Sequence, residues 1–146
     1  MTTPDDAPDN KAVIRRFLDE VVGQGRLDLA DELCSPDVMN HAAVPERQRG
    51  VENLKTVLGF SLGAQPDQRW VEQHFIGDGD LVVVYGRREG TWQAPGFRGV
   101  PTPASGEVSV ELAHMFRLRE GKIVEHWAVR DDLGMLQQLG AINAGS

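Results

Sequence analysis

The sequence predicts an α+β domain, its helices laid on one side of a largely antiparallel sheet. Apolar residues recur at helical spacing three times before Pro66. From Gln68 onward the period falls to two, in runs rich in Val, Ile, Phe and Trp. A last segment, DLGMLQQLG, returns to a short helical pattern behind a pair of aspartates able to cap it. Helices first and strands afterwards is the order of an α+β fold, not of alternating parallel units.

Residues 1–9 read as a disordered acidic tail, since MTTPDDAPD offers little to pack, and residues 10–142 as a single domain. Asp9 or Asn10 can cap a first helix on Val13, Ile14, Phe17, Leu18 and Val21, ended by Gly23 and Gly25. A second, short helix is expected on Leu27, Ala30, Leu33 and Cys34, stopping before Pro36. VMNHAAVP is too short for a helix and reads as an edge strand or ordered loop. Val51, Leu54, Val57, Leu58 and Leu62 mark the third helix, with Gly63 and Pro66 expected beyond its end.

QRWVEQHFI and DLVVVYGRREGTW are strands joined through the turn GDGD. In the second of these, Arg87 and Arg88 beside Glu89 read as a solvated edge. QAPGFRGVPTPASG is a long Pro/Gly loop of the kind that forms a lid, a rim or a dimer element. EVSVELAHMFRLR then alternates, with Val108, Val110, Leu112, His114, Phe116 and Leu118 on one face. GKIVEHWAV follows after a tight turn, and the short C-terminal helix closes the chain.

Composition narrows the function. Of 146 residues, 40% are apolar and 25% charged, the balance of a soluble globular protein. The net charge of −7, with no basic cluster against it, makes nucleic acid and anionic membrane poor partners. With no apolar leader and no membrane-length run, the expected location is the cytoplasm. The single Cys34 has no disulfide partner within the chain. Neither a nucleotide-binding glycine motif nor metal-ligand spacing is present, so any catalysis is expected to be cofactor-free and metal-free, carried by His and Asp.

The turn around REG decides which residues meet. A three-residue loop with Gly last would pair Leu118 with Lys122 and set His114 across from His126. Val124, Ala128 and Arg130 would then share the face of His114. A two-residue loop at Glu120-Gly121 would instead set His114 beside Trp127 and bring Asp131 to its face. His114 interrupts an apolar row. It is either a core histidine bonded to a neighbour or a general acid/base on a pocket floor. Asp131 is open to the same two kinds of reading, as helix N-cap or as catalytic carboxylate. Phe116, His126, Trp127, Asn40 and His41 complete the candidate list as substrate contacts, although Trp127 also suits plain packing.

NKAVIRRFLDEVVGQGRLDLADELCSPDVMNH, GVENLKTVL and HMFRLREGKIVEHWAVRDDLGMLQQLG resemble the SnoaL-like polyketide cyclases of the NTF2-like superfamily, GKIVEHW being the most specific piece. The resemblance implies a cone-shaped α+β barrel, with three N-terminal helices on a strongly curved mixed sheet around an apolar pocket. It also implies a homo-oligomer built on the sheet's outer face and a small, apolar, aromatic polyketide-like ligand. The implied chemistry is cofactor-free intramolecular aldol condensation, with an Asp as acid/base assisted by a His. That His matches His114. The Asp position, directly after the Trp of EHW, is Ala128 here. The resemblance therefore leaves open a cyclase working through His114 and Asp131, a hydroxylation or isomerisation component, and a non-catalytic binding module.

Overall fold

The computed structural model describes residues 9–143 apart from residue 104, so the expected tail over 1–9 lies outside the described residues except for Asp9. Asp9 caps helix α1 (Asn10–Arg16), its carboxylate accepting from the amides of Lys11 (3.1 Å) and Ala12 (3.3 Å). The helix runs on as a wider π-helical stretch over Phe17–Val22. That widening brings Phe17, Leu18, Val21 and Val22 together as buried residues, a broader apolar face than a regular α-turn presents.

A 3₁₀ turn over Leu27–Leu29 leads into α2 (Ala30–Leu33), and strand β1 (Cys34–Asn40) begins at once. Cys34 thus belongs to the strand, where it is buried opposite Ile123, and not to the helix expected there. Pro36 does not stop the chain, because β1 is an edge strand whose ladder is interrupted between Cys34 and Met39. A missing N–H costs nothing in that gap. Helix α3 (Val51–Ala64) continues through Gly63, which was expected beyond its end.

Strands β2 (Arg69–Asp78), β3 (Leu81–Trp92), β6 (Gly106–Arg119) and β7 (Lys122–Arg130) complete the main sheet. Its order is β1-β7-β6-β3-β2, with β1 parallel to β7 and the remaining pairs antiparallel. The sheet is open at both edges, a cone and not a closed barrel. β2 is bulged between Trp70 and Glu72, which bends it across β3. Gly86 faces this bulge, and a Cβ there would fall 1.8 Å from the Glu72 carbonyl oxygen.

The main core fills the space between the helices and one sheet face. Ile14, Phe17, Leu33 and Leu54 pack with Val82, Val84, Phe116, Leu118 and Ile123. The Pro/Gly loop is not featureless: Gly96–Phe97 (β4) and Val100–Pro101 (β5) form a small hairpin. Phe97 packs edge-on against Trp92 at 5.5 Å. Helix α4 (Asp132–Gln138) lies over one end of β6, where Met135 and Leu139 cover Val108 and Val110. Among the described residues no helix is long and apolar enough to cross a membrane.

Candidate active site

The β6–β7 hairpin settles the register in a way neither turn reading anticipates. Glu120 (φ 53°) and Gly121 (φ 77°) make a two-residue turn closed by the pair Arg119–Lys122. One residue on, Leu118 pairs with Ile123 but Arg117 pairs with Glu125, so Val124 is an extra residue on β7. The tight turn alone would have put Trp127 on the inner face. The bulge at Val124 shifts the ladder by one, sets His114 across from Ala128, and returns His126 and Arg130 to the face of His114.

A cavity of about 90 Å3 opens on this face, beneath α1 and α3. Phe17, Leu18, Leu54, Leu58 and Phe116 give it an apolar wall. His114, His126, Asn40, Trp70, Arg88 and Arg130 are its principal polar groups. Among the described residues that line it there is no Asp or Glu.

Three of the polar side chains form one chain. The Oδ1 of Asn40 accepts from the Ala42 amide at 3.1 Å, which identifies that atom as the oxygen because a backbone N–H can only donate. The same oxygen lies 2.8 Å from His126 Nδ1, so His126 carries its proton there. His126 Nε2 is then the acceptor for His114 Nδ1, also at 2.8 Å. With both rings neutral, His114 is left with an unprotonated Nε2. Neutrality follows from the surroundings. Burial, with His126, Arg88 and Arg130 nearby, holds His114 well below its ordinary value. Burial, then Arg130 and His41, brings His126 down to about 4.

The parallel pairing of β1 with β7 builds this chain, since it sets Asn40 directly opposite His126. Strand alternation sends the next residue on each strand to the other side. His41 and Trp127 accordingly stack on each other at 4.8 Å, and His41 donates from Nε2 to Glu125 at 2.8 Å. Neither lines the cavity. Phe116, Asn40 and His126 do line it. Asp131 is exposed and caps α4, accepting from the Gly134 amide at 2.8 Å. It does not line the cavity either, and its capping reading describes its place in the fold.

Arg88, Trp70 and Arg130 are polar wall residues that the sequence reading did not select, although one turn reading placed Arg130 on the face of His114. Arg88, taken for a solvated edge, lies on the inner face and is opposite Trp70 in the β2–β3 ladder. The signal was present: Val82, Val84, Gly86 and Arg88 share one parity, and the first three are buried.

Comparison with known proteins identifies the family. The family description SnoaL-like polyketide cyclase matches residues 12–139. A nogalonic acid methyl ester cyclase from Streptomyces nogalater is 30% identical over 122 residues, 80% of this chain and 87% of that protein. The crystal structure of IdmH, a candidate polyketide cyclase from Streptomyces antibioticus, is 30% identical, with a TM-score of 0.73 over 91% of this chain and 99% of its own. A candidate SnoaL-like polyketide cyclase from Jannaschia sp. CCS1 has a TM-score of 0.79 at 26% identity, covering 97% of this chain and 98% of its own. The family match spans all the principal elements of the fold, and the chain belongs to the SnoaL-like polyketide cyclase family.

Proposed function

We propose that this protein is a cofactor-free, cytoplasmic tailoring enzyme that closes or isomerises a ring of an aromatic polyketide-type substrate, with His114 Nε2 removing a proton next to a carbonyl. The hydrogen-bond chain Asn40–His126–His114 carries this reading, because it ends on an unprotonated ring nitrogen in an apolar wall. The C–H bond breaks, its proton passes to His114, and its electron pair moves onto the carbonyl oxygen as an enolate. Arg130 and the indole N–H of Trp70 are the wall donors available to that oxygen. Attack of the enolate carbon on a second carbonyl closes the ring, and His114 returns its proton to the new alkoxide. Burial above all, then His126 and the nearby arginines, weakens His114 as a base at rest. A developing enolate offsets the arginines' part of that effect.

The methyl ester cyclase named among the relatives supports ring closure as the reaction type. Ala128, standing across from His114 where the family resemblance expects an Asp, favours a second reading in which the fold serves hydroxylation or binds a ligand without turnover. A homo-oligomer belongs to the same proposal. Ile76, Tyr85 and Val129 are exposed on the sheet, the place where a second copy would pack.

The test is purified protein alone with an aromatic polyketide methyl ester, followed by mass spectrometry. A product of unchanged mass, or one water lighter, is expected from the wild type and not from His114→Ala, whose ligand affinity stays close to normal. Undiminished turnover in His114→Ala would remove that residue from the role. Binding without product in the wild type would favour the second reading.

A further inference from the structure

Arg88 has a charge that the surrounding protein does not neutralise. Among the described residues it makes no ion pair and no side-chain hydrogen bond; no carboxylate lines the cavity it shares with His114, and Asp19, in the wall of an adjoining cleft that Arg88 also faces, forms no ion pair with it. Its neighbours are served: Arg87 reaches Ser109 and Glu111, and Arg130 has Asp132 at 3.3 Å. Burial and the like charge of Arg130 bring the Arg88 guanidinium down to about 10, which still leaves it cationic at neutral pH. A second donor is also unserved, because the buried indole Nε1 of Trp70, in the same wall, has no hydrogen-bond partner within the protein. Holding an uncompensated cation in an apolar wall is costly, and a chain gains by doing so only when something else supplies the counter-charge.

We infer that Arg88 is a carboxylate-recognition residue: the ligand of this cavity has a flat apolar body and bears a carboxylate whose counter-ion is Arg88. A permanent cation calls for a permanent anion, whereas an enolate exists only during turnover. The planar guanidinium fork matches a carboxylate with two parallel hydrogen bonds. Leu54, Leu58 and Phe116 in the same wall suit the apolar body. This inference rests on the cavity being the substrate site and adds the chemical class of what enters it.

Calorimetric titration with 2-naphthoate and with its neutral methyl ester tests it without any turnover. The wild type should bind the acid about tenfold more tightly than the ester, or better. In Arg88→Met, which keeps the length of the side chain without its charge, the acid should lose that advantage while the ester binds as before. Arg88→Lys should keep part of the preference. Arg88→Met should also melt no lower than the wild type, since it removes an unpaired, half-buried charge, and 2-naphthoate should raise its melting temperature less. The inference is overturned by equal or weaker binding of the acid in the wild type, by no binding of the acid, or by a preference that survives in Arg88→Met. His114→Ala separates the two proposals: turnover persisting there removes the base, while the acid-over-ester preference reports on Arg88 alone.

Discussion

His126 is held neutral by its surroundings, and that has a thermodynamic sign. Its folded-state value of about 4 lies below the ordinary 6.5, so between those two pH values the unfolded chain binds a proton that the folded chain does not. Stability is therefore full above pH 6.5 and falls as the pH drops toward 4, by at most ~1.4 kcal/mol per pH unit from this group. His114 is shifted in the same direction and adds to the fall. His126→Leu cannot take up that proton. The gap in urea midpoint between the wild type and this variant should narrow from pH 7 to pH 4, and a constant gap would contradict the neutral pair. Across the hairpin, Ala128→Asp would place a carboxylate opposite His114, with Cβ atoms roughly 5 Å apart. His114 should then titrate at a higher pH by NMR, and the acid limb of any activity profile should move with it. The added carboxylate should cost about 1–3 kcal/mol of stability.

At the scale of elements, α4 shows how a candidate catalytic residue can be a structural one. Asp131 caps the helix through the Gly134 amide, and Asn caps nearly as well. Asp131→Asn should lower stability by less than ~0.5 kcal/mol and leave turnover intact. Gly134→Ala is the contrasting case. Helix propensity alone would make it stabilising by ~1 kcal/mol, but the new Cβ would lie 2.2 Å from Asp131 Oδ2. The cap must move, so thermal melting should show no gain. The β6–β7 hairpin teaches the complementary lesson. Glu120-Gly121 and the alternation of both strands are visible locally, yet the extra residue at Val124 is not. Nothing in GKIVEHW marks one residue as unpaired. The bulge puts His126 and Arg130, and not Trp127, on the inner face.

The whole molecule sets apolar side chains on both faces of its sheet. The inner face is covered by α1, α2 and α3, but on the other face Tyr85 is 40% exposed and Val129 72% exposed. Apolar side chains left this open mark an interaction surface when they are contiguous. If that surface is where copies of the chain meet, sedimentation should find a dimer or larger assembly for the wild type and a smaller species for Val129→Glu. A wild-type monomer at high micromolar concentration would remove the oligomer from the proposal. The cavity belongs to this scale as well, because its wall draws on the π-helical stretch after α1, on α3 and on every strand of the main sheet.

Local pattern determined much of this protein. The order of helices and strands, a cap at Asp9 or Asn10 and another at Asp131 or Asp132, and the shared face of His114 and Phe116 all follow from spacing and from residue type. So does the cone-like fold class, through the resemblance. Tertiary structure decided what those residues meet. Asn40 and His126 are 86 positions apart and share a hydrogen bond only because β1 lies parallel to β7. The separation of His41 and Trp127 from the cavity depends on the same long-range pairing. Periodicity records which way a side chain points from its own strand. It does not record which strand lies alongside, and hydrogen-bond partners and buried charges are fixed by that neighbour.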